Sequence, residues 1–298
     1  MPHRSIPIPF PLDLRLTLWR LPHGPSDPTI RVSRTVAIRA TRTPDGAVTV
    51  RLDLAGGRLT AEAWGPGAER ALEALPRLLG FADDPAALQP RHGVVAELVR
   101  RLPGLRIGRS DAVLEALVPA VLEQKVPGVQ ARRAHAGLVR AFGEPAPGPA
   151  GLLLPPEPAR LAALPYFAFH RFGIERRRAE AIRWACARAA RLEAAGELEA
   201  GPARRVLTAL PGIGDWTAAE VAASAFGDPD AVSVGDYHLP DIVAWSLAGE
   251  PRGDDARMLA LLEPYRGQRG RVIRLLEAGA PRLPRFGPRL ALRSIARI

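Results

Sequence analysis

The chain reads as an α+β protein: an N-terminal antiparallel β-sheet domain with a helix, then an all-α domain built around a helix-hairpin-helix. Three observations predict this. Between residues 13 and 65 apolar and polar residues alternate, the period of a half-buried strand. From Gly67 onward the apolar spacing widens to three and four, the period of an amphipathic helix. Residues 210–222 read LPGIGDWTAAEVA, a tight glycine turn between two helical stretches.

The predicted strands are DLRLTLW (13–19), TVAIRAT (35–41), AVTVRLDL (47–54) and GRLTAEAWG (57–65), with the turn signal PDGA at 44–47. AERALEALPRLLGF (68–81) is the helix that closes this unit, and the expected domains are 1–106 and 107–298. DAVLEALVPAVLEQKV (111–126) opens the helical part, with Asp111 as its expected N-cap, and a helix from Gly128 to Phe142 follows. GEPAPGPAGLLLPPEP (143–158) is a proline-rich connection. ERRRAEAIRWACARAARLEAA (175–195) is predicted as one long basic helix. RRVLTAL (204–210) and WTAAEVAASAFG (216–227) flank the glycine turn, with Gly227 as a C-cap. YHLPDIVAWSLAG, DDARMLALLEPY and GRVIRLLEAG are three further helices. The C-terminal stretch is basic, carrying Arg282, Arg285, Arg289, Arg293 and Arg297.

Composition narrows the function. Of 298 residues, 47% are hydrophobic, enough for a sizeable core, and no apolar run reaches the ~18 residues of a membrane span. The start has no secretory-signal pattern, and Cys186 stands alone. A lone cysteine excludes an internal disulfide, a zinc finger and an all-cysteine iron–sulfur site, and a cytoplasmic setting is expected. His135 and His170 have no ligand partners at useful spacing, so no metal centre is expected. The net charge is +10, and Lys125 is the sole lysine among 41 basic residues. Arginine suits bidentate phosphate contact, although coding bias in an Ala-, Gly- and Pro-rich chain favours it too. The balance points to a polyanion, most simply nucleic acid; a basic but unspecialised enzyme is the alternative.

The glycine turn sharpens that reading. Gly212 and Gly214 are expected to take positive φ and let backbone approach a ligand. The next helix starts there, so unpaired N–H groups and the positive dipole end face outward, an anion site suited to a DNA phosphate. Leu210, Pro211, Gly212, Ile213, Gly214 and Thr217 are the residues expected at it; an ordinary turn between helices is the alternative. About twenty residues on, AVSVGDYHLPD (231–241) places Asp236 just before a helix. An acid beside a DNA site can stabilise positive charge developing at C1′ of a deoxyribose, or position a water. Equally, it can cap the helix. Asp228, Asp230 and Asp241 compete for the role, and His238 can touch phosphate or serve the helix start.

The run L-P-G-I-G-x-W-T-A with the V-G-D-Y-H segment resembles the helix-hairpin-helix DNA glycosylases, and among them the 3-methyladenine DNA glycosylase II family, over most of the chain. The resemblance implies that Asp236 is the catalytic residue. ALVPAVLEQKV (116–126) resembles the family's helix that ends in a duplex wedge, which implies Gln124 or Lys125 in that role. Bifunctional members carry a nucleophilic lysine two residues after the second hairpin glycine; here that position is Trp216. The resemblance therefore implies a monofunctional enzyme on double-stranded DNA, expected to be a monomer and to need no cofactor. A structural monovalent cation on the hairpin carbonyls is the one ion it allows. Trp216 and Tyr237 are the expected aromatic faces for an electron-poor alkylated base, with plain core packing the alternative for Trp216. Three departures stand out: Glu123 replaces a usual glycine, Lys125 a usual apolar or amide wedge, and Arg271 and Arg274 fall where aromatic pocket residues are expected. They leave a non-catalytic DNA-binding protein as the rival reading.

Overall fold

The computed structural model describes residues 2–281, so the basic C-terminal stretch from Arg282 lies outside the described residues. Five antiparallel strands form one sheet: β1 (His3–Pro7), β2 (Ile30–Val32), β3 (Val36–Thr43), β4 (Gly46–Ala55) and β5 (Arg58–Trp64), in the order β1-β5-β4-β3-β2. The 35–41, 47–54 and 57–65 stretches are strands as their alternation predicts. The edge strands β1 and β2 are additions. The prolines in and around β1 break its periodicity, and β2 is only three residues long.

The stretch 13–19 is a correction: it is not a strand. It begins a short helix, α1 (Leu14–Thr17), because Asp13 caps it by accepting from Leu16 N at 3.1 Å. Leu14, Thr17 and Leu18 share one buried helical face under the sheet, and that spacing overrides the alternation. Helices α2 (Ala68–Glu73) and α3 (Leu75–Leu78) complete this layer, its core formed by Leu52, Leu59, Leu72 and Leu79 among others.

The rest of the described chain is helical: α4 (Gly93–Arg101), α5 (Val113–Glu123), α6 (Gly128–Phe142), α7 (Pro158–Ala163), α8 (Arg176–Cys186), α9 (Ala189–Ala194), α10 (Ala200–Thr208), α11 (Asp215–Ala225), α12 (Leu239–Ala248), α13 (Asp255–Leu262) and α14 (Arg269–Gly279). The expected single helix at 175–195 is two, α8 and α9. The expected cap at Asp111 is also corrected. Asp111 has φ +56° and pairs with Arg77 and Arg109, while the first N–H groups of α5, at Val113 and Leu114, donate to the Glu193 carboxylate at 2.9 Å each. A carboxylate from a distant helix does what a local cap would have done.

Two helical cores result. One packs α5, α6, α8, α10 and α11 around Leu117, Leu122, Phe169 and Ile182. The other packs α4 with α12–α14 around Leu98, Val243, Met258 and Val272, so residues before position 106 share a core with the last helices. Glu115 of α5 ties the sheet to the first core by accepting from Arg39 at 2.7 Å, Thr41 Oγ1 at 2.6 Å and Arg42 N at 3.1 Å. Arg271 of α14, almost wholly buried, pairs with Asp83 and accounts for one departure noted above as a structural arginine.

Candidate active site

The hairpin joins α10 to α11. Leu210 and Ile213 are buried in the first helical core and hold the turn down, while Pro211, Gly212 and Gly214 are exposed. Gly212 has φ +82°, as expected. Gly214 does not share it: its φ is −97°, and its value is space, since an added Cβ would meet nothing within 4 Å. Among the described residues, the N–H groups of Gly212, Gly214, Asp215 and Trp216 have no protein acceptor. These outward N–H groups at a helix start suit an anion. Asp215 is an exposed acid at the same spot, and Arg204 pairs with it at 3.0 Å.

Asp236 stands across from the first turn of α11. Its Oδ1 accepts from His238 N at 2.8 Å and Leu239 N at 2.9 Å, and its Oδ2 accepts from Trp216 Nε1 at 3.0 Å. The carboxylate thus caps α12 and lies beside Trp216, a geometry compatible with either reading of the acid. Trp216 is half-buried. Tyr237 is 79% exposed and meets His238 edge to face.

Gln124 is engaged within the protein. Its amide donates to Gly212 O at 3.0 Å and Thr217 Oγ1 at 2.8 Å, a strut between the end of α5 and the hairpin. Thr217 is buried and spent on the same bond. Lys125 is exposed, with φ +55°. The carbonyl of Leu122 one turn back is held by the buried guanidinium of Arg178 at 2.7 Å.

The sequence pattern missed the group behind Asp236. Arg20, following α1, pairs with Glu220 of α11 and lies 3.8 Å from Glu277 of α14. Glu220 also accepts from Ser233 Oγ, three residues before Asp236. Arg274 donates to Leu16 O at 2.5 Å and sits 5.6 Å from the Trp19 ring centre. Burial works against the charge of Arg20, but Glu220 and Glu277 more than offset it and hold its pKa above the ordinary value. Burial and the like charge of Arg20 push Arg274 down to about 9, which leaves it charged at neutral pH. Burial and Glu220 push Glu277 up, against Arg20. One signal was legible: Glu220 is the single charge in the otherwise small and apolar run AAEVAASA.

Among the described residues no group of three or more His, Cys, Asp or Glu side chains could hold a metal ion, and no helix is long and apolar enough to cross a membrane. Leu210 O and Gly212 O each already accept a hydrogen bond.

This fold and this site, a glycine hairpin facing a capped aspartate, resemble those of the helix-hairpin-helix DNA glycosylases. Among these the chain resembles the 3-methyladenine DNA glycosylases. Over 171 residues, 55% of its length, it is 35% identical to a Mycobacterium tuberculosis protein described as a probable bifunctional transcriptional activator/DNA repair enzyme AlkA. The chain spans about a third of the length of the curated relatives it matches, 34%. Its fold matches the 3-methyladenine DNA glycosylase of Archaeoglobus fulgidus with a TM-score of 0.72, over 92% of this chain and 97% of that one, at 23% identity. It also matches a Clostridium acetobutylicum 8-oxoguanine glycosylase/lyase solved with double-stranded DNA, with a TM-score of 0.60 over 83% and 96% of the chains at 15% identity. No family model matches the chain.

Proposed function

We propose that the chain is a DNA N-glycosylase that takes a damaged, alkylated purine out of double-stranded DNA and hydrolyses its N-glycosidic bond, leaving an abasic site uncut. The observation that carries this is Asp236, held by two backbone N–H groups and the Trp216 indole beside a hairpin of unpartnered N–H groups. Those hairpin groups take one phosphate and set the register. Lys125 enters the stack where the nucleotide is extruded, and the base lies against the face of Trp216. As the bond from C1′ to the base breaks, positive charge grows on the sugar. The fixed carboxylate lowers the energy of that state and orients the attacking water.

The strand stays intact because the position of a nucleophilic amine holds Trp216, and the one lysine, Lys125, is assigned by this reading to the duplex and not to C1′. A monovalent cation on the hairpin carbonyls would be structural, and no step passes through it. The repair role follows the descriptions of the Mycobacterium and Archaeoglobus proteins, and a cytoplasmic monomer is the setting proposed. The rival, a binding-only protein, drew on Arg271 and Arg274; these are engaged by Asp83 and by Leu16 O, which weakens its case.

The test is a gel assay on methylated duplexes and on duplexes containing hypoxanthine, with and without alkali, comparing wild type with Asp236→Asn. Strand breaks that need alkali, and that vanish in the variant, are expected. Breaks without alkali would mean an amine nucleophile. Binding with no base release would leave the rival standing.

A further inference from the structure

Glu123 is the last residue of α5, next to the strut Gln124, and so sits beside the turn of α11 from which Trp216 reaches Asp236. It is half-buried, and among the described residues it has no hydrogen-bond or ion-pair partner. The other carboxylates around Asp236 are engaged: Glu220 by Arg20 and Ser233, Glu277 by Arg20. The charged groups facing Glu123 come from four elements: Glu220 on α11, Arg20 after α1, Arg132 on α6 and Asp236 before α12. A sheltered carboxyl without a protein partner thus lies within electrostatic reach of Asp236, at the end of the helix that braces the hairpin.

Resting on the glycosylase reading, we propose that Glu123 is a second catalytic carboxyl, a general acid that protonates a neutral purine as it leaves, while cationic alkylpurines depart without it. Two neighbouring acids in unlike surroundings take unlike roles. Asp236 has three N–H donors and serves as the anion. Glu123 has none, and burial, then Glu220, push its pKa up to about 7 against Arg20 and Arg132, with Asp236 adding to the rise. A DNA polyanion arriving at the site pushes in the same direction.

The step balances. The Glu123 carboxylic acid gives its proton to a ring nitrogen of the purine. The bond from C1′ to N9 breaks with its electron pair going to the base, which leaves neutral. Water adds to C1′ and returns one proton to the Glu123 carboxylate. A 3- or 7-methylpurine already carries its positive charge, so the same cleavage needs no proton donor.

The experiment measures single-turnover release of hypoxanthine and of 7-methylguanine from otherwise identical duplexes, across a working range of about pH 5.5 to about pH 9. Wild type, Glu123→Gln, Glu123→Asp and Asp236→Asn are compared. Glu123→Gln is expected to slow hypoxanthine release about 100-fold more than 7-methylguanine release. Wild-type hypoxanthine release is expected to fall about tenfold per pH unit above about 7, a fall absent for 7-methylguanine and absent in Glu123→Gln. Glu123→Asp, which keeps a proton at shorter reach, restores part of the rate and the pH dependence. Equal slowing of both bases by Glu123→Gln would reduce Glu123 to a structural part and overturn the proposal. So would a flat hypoxanthine profile in wild type, or release of 7-methylguanine with none of hypoxanthine. Failure of the glycosylase reading looks different: wild type releases neither base, or Asp236→Asn releases both as wild type does.

Discussion

On the proposed reading Asp236 serves a helix and a reaction with one carboxylate, and this makes its replacement unusually clean. Asparagine caps a helix about as well as aspartate, so Asp236→Asn is expected to melt within about 0.5 kcal/mol of wild type while losing about 10²–10³-fold or more in base release. Trp216→Phe keeps a ring face but removes the donor to Asp236 Oδ2, 3.0 Å away. A bond to a charged group is worth about 1.5–3 kcal/mol, so kcat should fall roughly 10–100-fold with DNA affinity held, read by single-turnover kinetics and a binding titration. The cap at Asp236 was legible in an aspartate just before a helix start, whereas its proposed catalytic role rests on the family resemblance. The exposure of Tyr237 was not legible, because a motif gives order and not direction. Arg20 was invisible because its partners lie about 200 and 257 residues away in the chain.

At the scale of elements, the end of α5 is the joint on which the site is hung. Gln124 ties it to the hairpin, and Arg178 of α8 holds the Leu122 and Gly173 carbonyls at 2.7 Å and 3.1 Å. Gln124→Ala removes two bonds and leaves a buried threonine hydroxyl short of a partner. The expected cost is about 1–3 kcal/mol in urea unfolding, with weaker binding to undamaged duplex because the hairpin loses its brace. Lys125→Ala leaves the brace intact, so stability should hold while extrusion and base release drop. Helix α6, with ends at Gly128 and Phe142, was legible to the residue, since a long amphipathic run between Pro127 and Gly143 has one solution. Helix α1 was not: four residues carry too little periodicity to separate a helix from an alternating strand, and an aspartate cap decided it. Nor was the Glu193 cap of α5, which depends on two helices meeting, something no local pattern encodes.

Across the whole molecule, the joint between sheet and helices is sensitive to acid. His23 and His135 stack edge to face with ring centres 4.7 Å apart. Burial, then the neighbouring His135, pushes the pKa of His23 down to about 3, and burial also lowers that of His135. Unfolded histidine titrates near 6.5, so the unfolded chain binds more protons between about 6.5 and 3. The stability is complete above about 6.5 and is lost as pH falls toward 3, by up to about 1.4 kcal/mol per pH unit for each site. Glu123, Glu193 and Glu277, whose pKa values burial raises, act in the opposite sense as pH rises. The measurement is therefore the difference in melting temperature between wild type and His23→Gln, expected to narrow steadily from pH 7 to pH 4. The α+β layout was legible from period changes alone. The mixing of the cores was not, because Leu98 and Val272 meet across the chain without any shared local signal. The same mixing decides how the protein can be cut down. Arg20 and Leu16 belong to the opening segment, yet one bridges Glu220 and Glu277 and the other anchors Arg274. A trimmed version starting at α5 would keep the hairpin, the aspartate and every motif by which the chain is recognised. It would also leave two neighbouring anions without their shared counter-ion, so the smallest recognisable piece is smaller than the smallest working one.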